Sequence, residues 1–156
     1  MTLAKNLAIA PGFNLWNLRV ARSRIHRLGV FATICIPRAR KVIEYTGERI
    51  TTKEALRRFE KILRSPARDR RICFFHLSSR SLIDGAIGGS GAEWINHSCD
   101  PNLRARKIGK RIFYFSRRRI HQGEELTIDY RLPKTALRVA CRCGSRACRG
   151  TINTLK

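Results

Sequence analysis

A short run in the middle of the chain, residues 96–102 (NHSCDPN), crowds several kinds of polar and reactive side chain together. It contains an amide, an imidazole, a hydroxyl, a thiol and a carboxylate, followed by a proline and a second amide. Such a run is an unfavourable way to build a core, because each buried polar group needs a partner. Two simpler interpretations are a glycosylation sequon at 96–98 and a turn ended by proline. The rest of the chain must decide between these and a functional site.

A second reactive group lies at residues 141–148, where three cysteines follow the spacing C-x-C-x4-C. Three thiolates so close in sequence can form three corners of a tetrahedral zinc site, and the neighbouring arginines favour the thiolate form. In a reducing compartment such clustering indicates metal rather than disulfides. The fourth ligand must lie upstream, since no Cys or His follows Cys148. The candidates are Cys35, Cys73, Cys99, His26, His76, His97 and His121.

The charge of the chain is extreme. Its 156 residues include 33 Lys and Arg but only 11 Asp and Glu, which gives a formal net charge of +22. A positive field of this size attracts nucleic acid, an anionic surface or an acidic protein. A merely solvated basic face is the simpler alternative. The sequence has no apolar run long enough to cross a membrane and no signal-peptide pattern, so we expect an intracellular protein, cytoplasmic or associated with nucleic acid.

The elements that would position these groups are mostly short strands. Runs rich in β-branched and aromatic residues, separated by turns, predict strands at 19–22, 30–34, 42–45, 73–77 and 82–84, a hairpin at 103–115 and a last strand at 125–130. One helix is predicted after Thr51, which can cap it, with Glu54 completing a capping box and Pro66 ending it. Its apolar residues fall on one face, typical of a helix that covers a core.

These motifs together resemble those of SET-domain protein lysine methyltransferases with a post-SET zinc segment. Four separated matches occur in the family's order, at residues 25–32, 44–48, 96–102 and 123–130, and the cysteine segment follows at 141–150. The resemblance implies a SET fold of several small β-sheets, with the C-terminal part threaded through a loop. We accordingly divide the chain into an N-terminal arm (1–17), a SET domain (18–132) and a post-SET zinc segment (137–153).

The resemblance also implies residue roles. S-adenosylmethionine is expected to bind at Arg27, Leu28, Gly29, Asn96, His97 and Tyr130, and Tyr130 is expected to be catalytic as well. Cys99 is expected to join Cys141, Cys143 and Cys148 on zinc, folding the C-terminal segment over the cofactor to complete a lysine channel. The implied partner is a protein substrate that carries a lysine.

Two positions depart from the family pattern. Arg27 occupies a place where glycine is usual, and if that place requires positive φ, an Arg is strained there. Ile128 replaces the usual Phe or Tyr at a position of the lysine channel that is linked to the number of methyl groups transferred. With no hydroxyl at Ile128 to tether the amine, we expect di- or trimethyl-lysine as product.

Two other functions remain as alternatives. A basic zinc module that binds nucleic acid or chromatin, with a degenerate methyltransferase site, would suit the positive charge and Arg27. Methylation of RNA or of a small molecule is disfavoured by the intact Tyr130 motif and by the post-SET segment. The sequence does not name the substrate. A basic peptide tail would be repelled by the chain unless acidic groups lie nearby.

Overall fold

The computed structural model describes residues 7–66, 71–134, 136 and 138–155. The prediction of a mostly β fold is confirmed, with 35% of the described residues in strands or bridges and 11% in helices. In chain order the strands β1–β10 of the described residues are Leu18–Arg22, Leu28–Ala32, Lys41–Tyr45, Glu48–Thr51, Phe74–His76, Ser81–Asp84, Asn96–His97, Leu103–Ile108, Arg111–Ser116 and Glu125–Ile128. The helix α1 spans Thr52–Arg64, and a short 3-10 helix spans Ala92–Trp94.

Three small sheets form the fold, and the first carries the candidate site. Its strand order is β1-β2-β10-β7, so the last strand of the chain lies between two earlier ones. Strand β10 is antiparallel to β2 and parallel to β7, pairing Thr127 with Asn96 and Ile128 with His97. This parallel pairing brings the 96–102 run beside the fourth sequence motif.

The predicted end of the last strand was wrong, because β10 stops at Ile128 rather than at Tyr130. Two hydrogen bonds explain the early end. The backbone N–H of Tyr130 donates to the His97 ring at 3.1 Å instead of to a carbonyl. The Asp129 carboxylate accepts from the backbone N–H of Arg131 at 3.1 Å, and Arg131 takes a left-handed conformation (φ 50°) that turns the chain away.

The other two sheets have the orders β3-β9-β8 and β4-β6-β5. The predicted hairpin at 103–115 is confirmed, with β8 and β9 paired in continuous register and Gly109 at positive φ in the turn. Most of the apolar core lies between the first two sheets and includes Val30, Ile36, Ile95, Leu103, Ile112, Ile120 and Leu126. In the N-terminal arm, Ile9 is buried and Phe13 and Trp16 pack against this core.

Helix α1 begins as the sequence predicts, and its apolar face is partly covered. Thr51 caps the helix by accepting from the backbone N–H of Glu54 at 3.2 Å. The Glu54 carboxylate, however, binds Arg57 and Arg58 rather than completing a capping box. Only Ala55 is buried among the residues of the helix, and 60% of the surface of Leu56 is exposed. The helix therefore covers the third sheet only in part: Ala55 packs in a small cluster with Ile50 and Leu82, whereas Leu56 borders an open groove.

No helix in the described part of the chain is both long and apolar enough to span a membrane.

Candidate active site and metal centre

Asn96 fastens the first sequence motif to the last strand. Its side chain is buried, and Nδ2 lies 2.8 Å from the carbonyl oxygen of Leu28 and 2.8 Å from Glu125 Oε1. The carbonyl oxygen of His26 is 3.3 Å away. The same Glu125 carboxylate accepts from the Ser23 hydroxyl at 2.8 Å. The loop at residues 23–28 is thus held from two sides by charge-assisted and neutral hydrogen bonds.

Gly29 is required by this close approach. A Cβ atom at residue 29 would lie 2.2 Å from Glu125 Oε1 and 3.1 Å from Asn96 Nδ2, which neither contact can accommodate without moving. Arg27, two residues earlier, has φ 42°. Residue 27 therefore adopts the left-handed backbone that favours glycine, and the Arg at this position is strained.

Asn102, at the other end of the run, binds β10 through both the oxygen and the nitrogen of its side-chain amide. Its Oδ1 accepts from the backbone N–H of Thr127 at 2.9 Å. Its Nδ2 donates to the backbone oxygen of Glu125 at 2.8 Å and to the Glu124 carboxylate at 2.9 Å. With 2% of its surface exposed, Asn102 is a buried amide whose partners all lie in the protein.

His97 lies between the candidate catalytic residue and the candidate metal ligands. Its Nδ1 accepts the backbone N–H of Tyr130, so the ring proton belongs on Nε2, which is 3.4 Å from Cys99 Sγ. Burial lowers the pKa of His97, and the charge of Arg149 adds to this effect while Asp129 opposes it. A neutral His97 therefore holds the backbone at Tyr130 and directs its Nε2–H toward the Cys99 sulfur.

The ring of Tyr130 is partly open, but its hydroxyl group points inward. The residue is 44% exposed, and its hydroxyl donates to the backbone oxygen of Ile95 at 2.8 Å. The ring meets that of His97 edge-on, with centroids 5.4 Å apart. Burial raises the pKa of the Tyr130 phenol, so this hydroxyl stays protonated at neutral pH.

An aromatic cluster lies behind Tyr130. The ring centroids of Tyr45, Phe75 and Tyr114 are 5.3–6.1 Å apart. Burial raises the pKa of the Tyr45 and Tyr114 phenols, and the charge that Tyr130 would carry as phenolate raises both further. These three rings form a poorly solvated wall near the Tyr130 hydroxyl.

Ile128 and Tyr130 both line one groove of about 840 Å³. Its apolar wall is formed by residues of helix α1, of strand β5, of the loop before β8 and of the start of β8. These include Ala55, Leu56, Phe59, Phe74, Phe75, Pro101 and Leu103. The two residues share the groove although Tyr130 lies beyond the end of β10.

The four cysteines assigned to the metal site lie together in space. The sulfur atoms of Cys99, Cys141, Cys143 and Cys148 are all within 4.8 Å of one another. The Cys99 and Cys141 sulfurs are 3.7 Å apart. Tetrahedral zinc, with Zn–S bonds of about 2.3 Å, separates its sulfur ligands by about 3.8 Å. The spacing of the four thiols therefore fits a structural zinc ion, and Cys99 completes the set left open by spacing alone.

The surroundings of three of these thiols shift their pKa values. Burial raises the pKa of Cys99 and raises that of Cys141 to about 12. Burial opposes ionisation of Cys143 as well, yet hydrogen bonds from backbone N–H groups and neighbouring thiols bring its pKa to about 6. Four adjacent thiolates repel one another, so full ionisation of the group requires a metal.

An ion pair joins the cysteine segment to the motif at residues 123–130. The Arg149 guanidinium binds both oxygens of Asp129 at 2.9 Å, and its backbone N–H lies 3.3 Å from Cys99 Sγ. Although partial burial opposes it, this pairing lowers the pKa of Asp129. A bidentate pair fixes both the distance and the orientation of the two segments.

Several of these positioning residues were not identified from the sequence. Asn102 lies in the second half of the 96–102 run, and Glu125 and Asp129 lie in the 123–130 motif. Their position inside these motifs could have marked them as site residues, but no positioning role was assigned to them. Arg149 was read only as a source of positive charge. Ser23 had no signal, because an isolated serine in a loop is common.

The chain is similar in sequence to several known proteins. The chain is 41% identical over 140 residues to a histone-lysine N-methyltransferase, H3 lysine-4 specific, of Schizosaccharomyces pombe. It is 38% identical over 148 residues to histone-lysine N-methyltransferase trithorax of Drosophila virilis, and 34% identical over 145 residues to histone-lysine N-methyltransferase SETD1A of Homo sapiens. These alignments cover 86–90% of this chain but only 4–15% of those much longer relatives.

The SET domain family matches residues 27–131, which is about two thirds of the sequence. The matched range contains the four motifs, apart from the first two residues of the first one. The match ends immediately after Tyr130 and before the cysteine segment. By this match the chain belongs to the SET-domain family.

Proposed function

We propose that this chain is an S-adenosylmethionine-dependent protein-lysine N-methyltransferase. The observation that carries the proposal is that Tyr130 and Ile128 line one groove, with the Tyr130 backbone held by His97 and its hydroxyl held inward by Ile95. Family membership supports the reaction class, since the relatives are named for lysine methyl transfer. Those names also make histones the first substrate class to assay.

The residues that would hold the cofactor are Arg27, Leu28, Gly29, Asn96, His97 and Tyr130. When bound, S-adenosylmethionine supplies an electrophilic methyl group on a sulfonium. Asn96 acts by position, because its Nδ2 contacts hold the 23–28 loop against β10. Gly29 permits that contact, and His97 fixes the backbone of Tyr130.

Tyr130 is proposed to orient the lysine amine rather than to deprotonate it. Its hydroxyl proton is directed at the Ile95 carbonyl, so the oxygen lone pairs are left to accept a hydrogen bond from an incoming amine. The raised pKa of the phenol makes a phenolate base unavailable near neutral pH. The target lysine, with an ordinary pKa of about 10.4, must instead lose its proton to solvent. The apolar wall and the positive surroundings favour that loss.

Zinc on the four cysteines is proposed to hold the C-terminal segment against the site. The donor set is all thiolate, which suits zinc, and the site leaves no position open for chemistry. Through Cys99, the ion would be linked to His97, and through Arg149 the same segment is linked to Asp129.

Ile128 is proposed to permit more than one round of transfer. An aliphatic side chain in the groove offers no hydroxyl that could anchor a partly methylated amine. The amine is then free to rotate and present its lone pair again. Di- or trimethyl-lysine is the product expected from the natural sequence.

A transfer assay separates this proposal from a non-catalytic basic module. Purified protein is incubated with methyl-labelled S-adenosylmethionine and histone or other protein substrates, and cofactor binding is measured by calorimetry. The proposal requires label on lysine and a saturable cofactor site. A protein that binds nucleic acid but neither binds the cofactor nor transfers label would be the degenerate module instead.

A further inference from the structure

The acidic side chains of this chain are largely engaged within the fold. Asp129 is held by Arg149, Glu44 by Arg111, and Glu124 by Arg118. Arg58 alone binds Glu48, Glu54 and Asp84, at 2.7–2.8 Å. Glu125 is held by Ser23 and Asn96 rather than by a cation. Because the sequence has 33 basic residues and only 11 acidic ones, a large excess of positive charge remains after these pairs have formed.

The groove beside Tyr130 shows this imbalance directly. Its lining includes three exposed arginines, Arg104, Arg117 and Arg131, and one carboxylate, Asp129. That carboxylate is already neutralised by the bidentate contact with Arg149. Arg117 is held in place by donating to the backbone oxygen of Pro101 at 2.9 Å. The groove thus combines an apolar floor with unbalanced positive charge around its sides.

Charge of this sign selects among segments that could enter the groove. A lysine flanked by further lysines and arginines would bring like charges together, which costs binding energy and slows encounter. A lysine flanked by Asp or Glu would meet the three arginines with complementary charge. Rejection of the basic segment contributes as much to the discrimination as attraction of the acidic one.

We propose that the preferred substrate is a protein segment in which acidic residues flank the target lysine. The inference rests on the proposed lysine methyltransferase function and adds the substrate class. The same arginines favour the neutral form of the lysine amine beside Tyr130, because a positive field destabilises its ammonium form. Acidic flanks restore the attraction that a neutral amine no longer provides.

The test uses three peptides of equal length with a single lysine, flanked by Glu, by Gln or by Arg. Binding is measured by fluorescence anisotropy, and kcat/KM for methyl transfer is measured on the same peptides. We expect the Glu-flanked peptide to exceed the Arg-flanked one by roughly 10-fold or more in both readouts, with the Gln peptide between them. The difference should shrink as salt is raised, because partly exposed charges are screened.

Charge reversal in the groove gives the matched variants. Arg104→Glu and Arg131→Glu should each reduce the preference severalfold, and Arg104→Glu is the cleaner variant because Arg104 has no part in the proposed chemistry. Arg19→Glu is the control. It makes the same charge change on an exposed residue of β1 that does not line the groove, and it should leave the order of the peptides unchanged.

Equal or reversed preference for the Arg-flanked peptide would overturn the inference, as would the absence of binding by all three. The same holds if Arg19→Glu weakens the preference as much as Arg104→Glu. If a DNA duplex competes for the groove while the peptides are not distinguished, the arginines serve nucleic acid and the inference falls. Ranked binding without any transfer would instead contradict the proposed function and leave the charge preference standing.

Discussion

Two regions of this molecule complete the same site by different means. The 96–102 run is buried against β10, and Asn96, His97 and Asn102 find hydrogen-bond partners inside the protein. The cysteine segment at 138–155 contains no helix or strand among its described residues. One isolated bridge, between Leu132 and Asn153, pairs it with the preceding chain, and a second, between Ala140 and Thr151, lies within the segment. Its three cysteines are partly exposed, and their sulfurs lie within 4.8 Å of one another and of Cys99 Sγ.

The difference shows where each region obtains its stability. The buried run is satisfied by amides, carbonyls and carboxylates, so its geometry is set when the sheet forms. The cysteine segment has too little buried apolar surface to be ordered by packing alone, and its sulfur group needs a cation. The two regions meet at Cys99 and at the Asp129–Arg149 pair, so a zinc ion on the four cysteines would fasten the C-terminal segment to the buried run.

Removal of zinc should have the largest effect and should act on one region only. We expect one zinc ion per chain, and structural zinc sites contribute on the order of 10 kcal/mol to ordering their segments. Chelation should abolish hydrogen-exchange protection at residues 138–155 while the three sheets keep theirs. Methyl transfer should fall to background.

The cysteine assignments are tested by elemental analysis of protein purified without chelator. Cys148→Ser should lower the zinc content, and Cys99→Ser should do the same although it lies 42 residues from the nearest other ligand in sequence. Cys35→Ser is the control, since Cys35 is outside the sulfur group. Full metal occupancy in Cys99→Ser would contradict the ligand set, and absence of metal in the natural protein would contradict the site.

Loss of Asn102 should weaken the buried region itself. Asn102→Ala leaves the Thr127 N–H and the Glu125 carbonyl without their partner, and such losses lower the free energy of unfolding by about 2–4 kcal/mol. Chemical denaturation measures the change. Asp100→Ala, in the same loop but exposed, should alter stability by less than about 0.5 kcal/mol. Similar losses in the two variants would show that the Asn102 contacts contribute little.

The contrast between the two regions also explains what the sequence could predict. Strands such as β3 and β9 follow from β-branched and aromatic runs between turns, and Thr51 marks the helix start by its capping chemistry. Cys99 could not be selected from spacing, because its neighbours in space come from the other end of the chain. It entered only through the family resemblance, and the structure places its sulfur with the other three.

One local prediction failed because a tertiary contact overrode a regular pattern, and a second is confirmed only in part. The alternation at residues 127–130 continues past the true strand end, where the His97 ring takes the N–H of Tyr130. The apolar face of α1 has the period of a buried helix, but periodicity does not reveal whether a partner covers that face. In both cases the outcome depends on contacts with residues that a local sequence pattern does not show.

A smaller effect is expected at Arg27, which holds a left-handed backbone in a loop fastened by Asn96. Arg27→Gly should relieve this strain and raise the free energy of unfolding by up to about 1 kcal/mol. S-adenosylmethionine affinity, measured by calorimetry, should increase if the strain distorts the loop. Arg24→Gly, at a position without positive φ, should give no gain. Unchanged or weaker affinity in Arg27→Gly would show that the loop already accommodates Arg.

The smallest energetic effect is expected at Ile128, where the change concerns product rather than rate. Ile128→Tyr places a hydroxyl in the groove that can tether a monomethylated amine, so products should shift toward monomethyl-lysine. Intact-mass analysis of the substrate gives the distribution. Ile128→Phe, which adds a ring without a hydroxyl, is the matched control and should keep multiple methylation. Strictly monomethyl product from the natural protein would contradict the role given to Ile128.

The central claim is that Tyr130 orients a lysine for methyl transfer in a site built by the 96–102 run. Its most direct test is to compare the natural protein with Tyr130→Phe for turnover on a lysine substrate and for cofactor affinity in parallel. The account predicts a loss of roughly 10²–10³ in methyl transfer with cofactor binding and stability nearly unchanged. Near-normal turnover by Tyr130→Phe would contradict it.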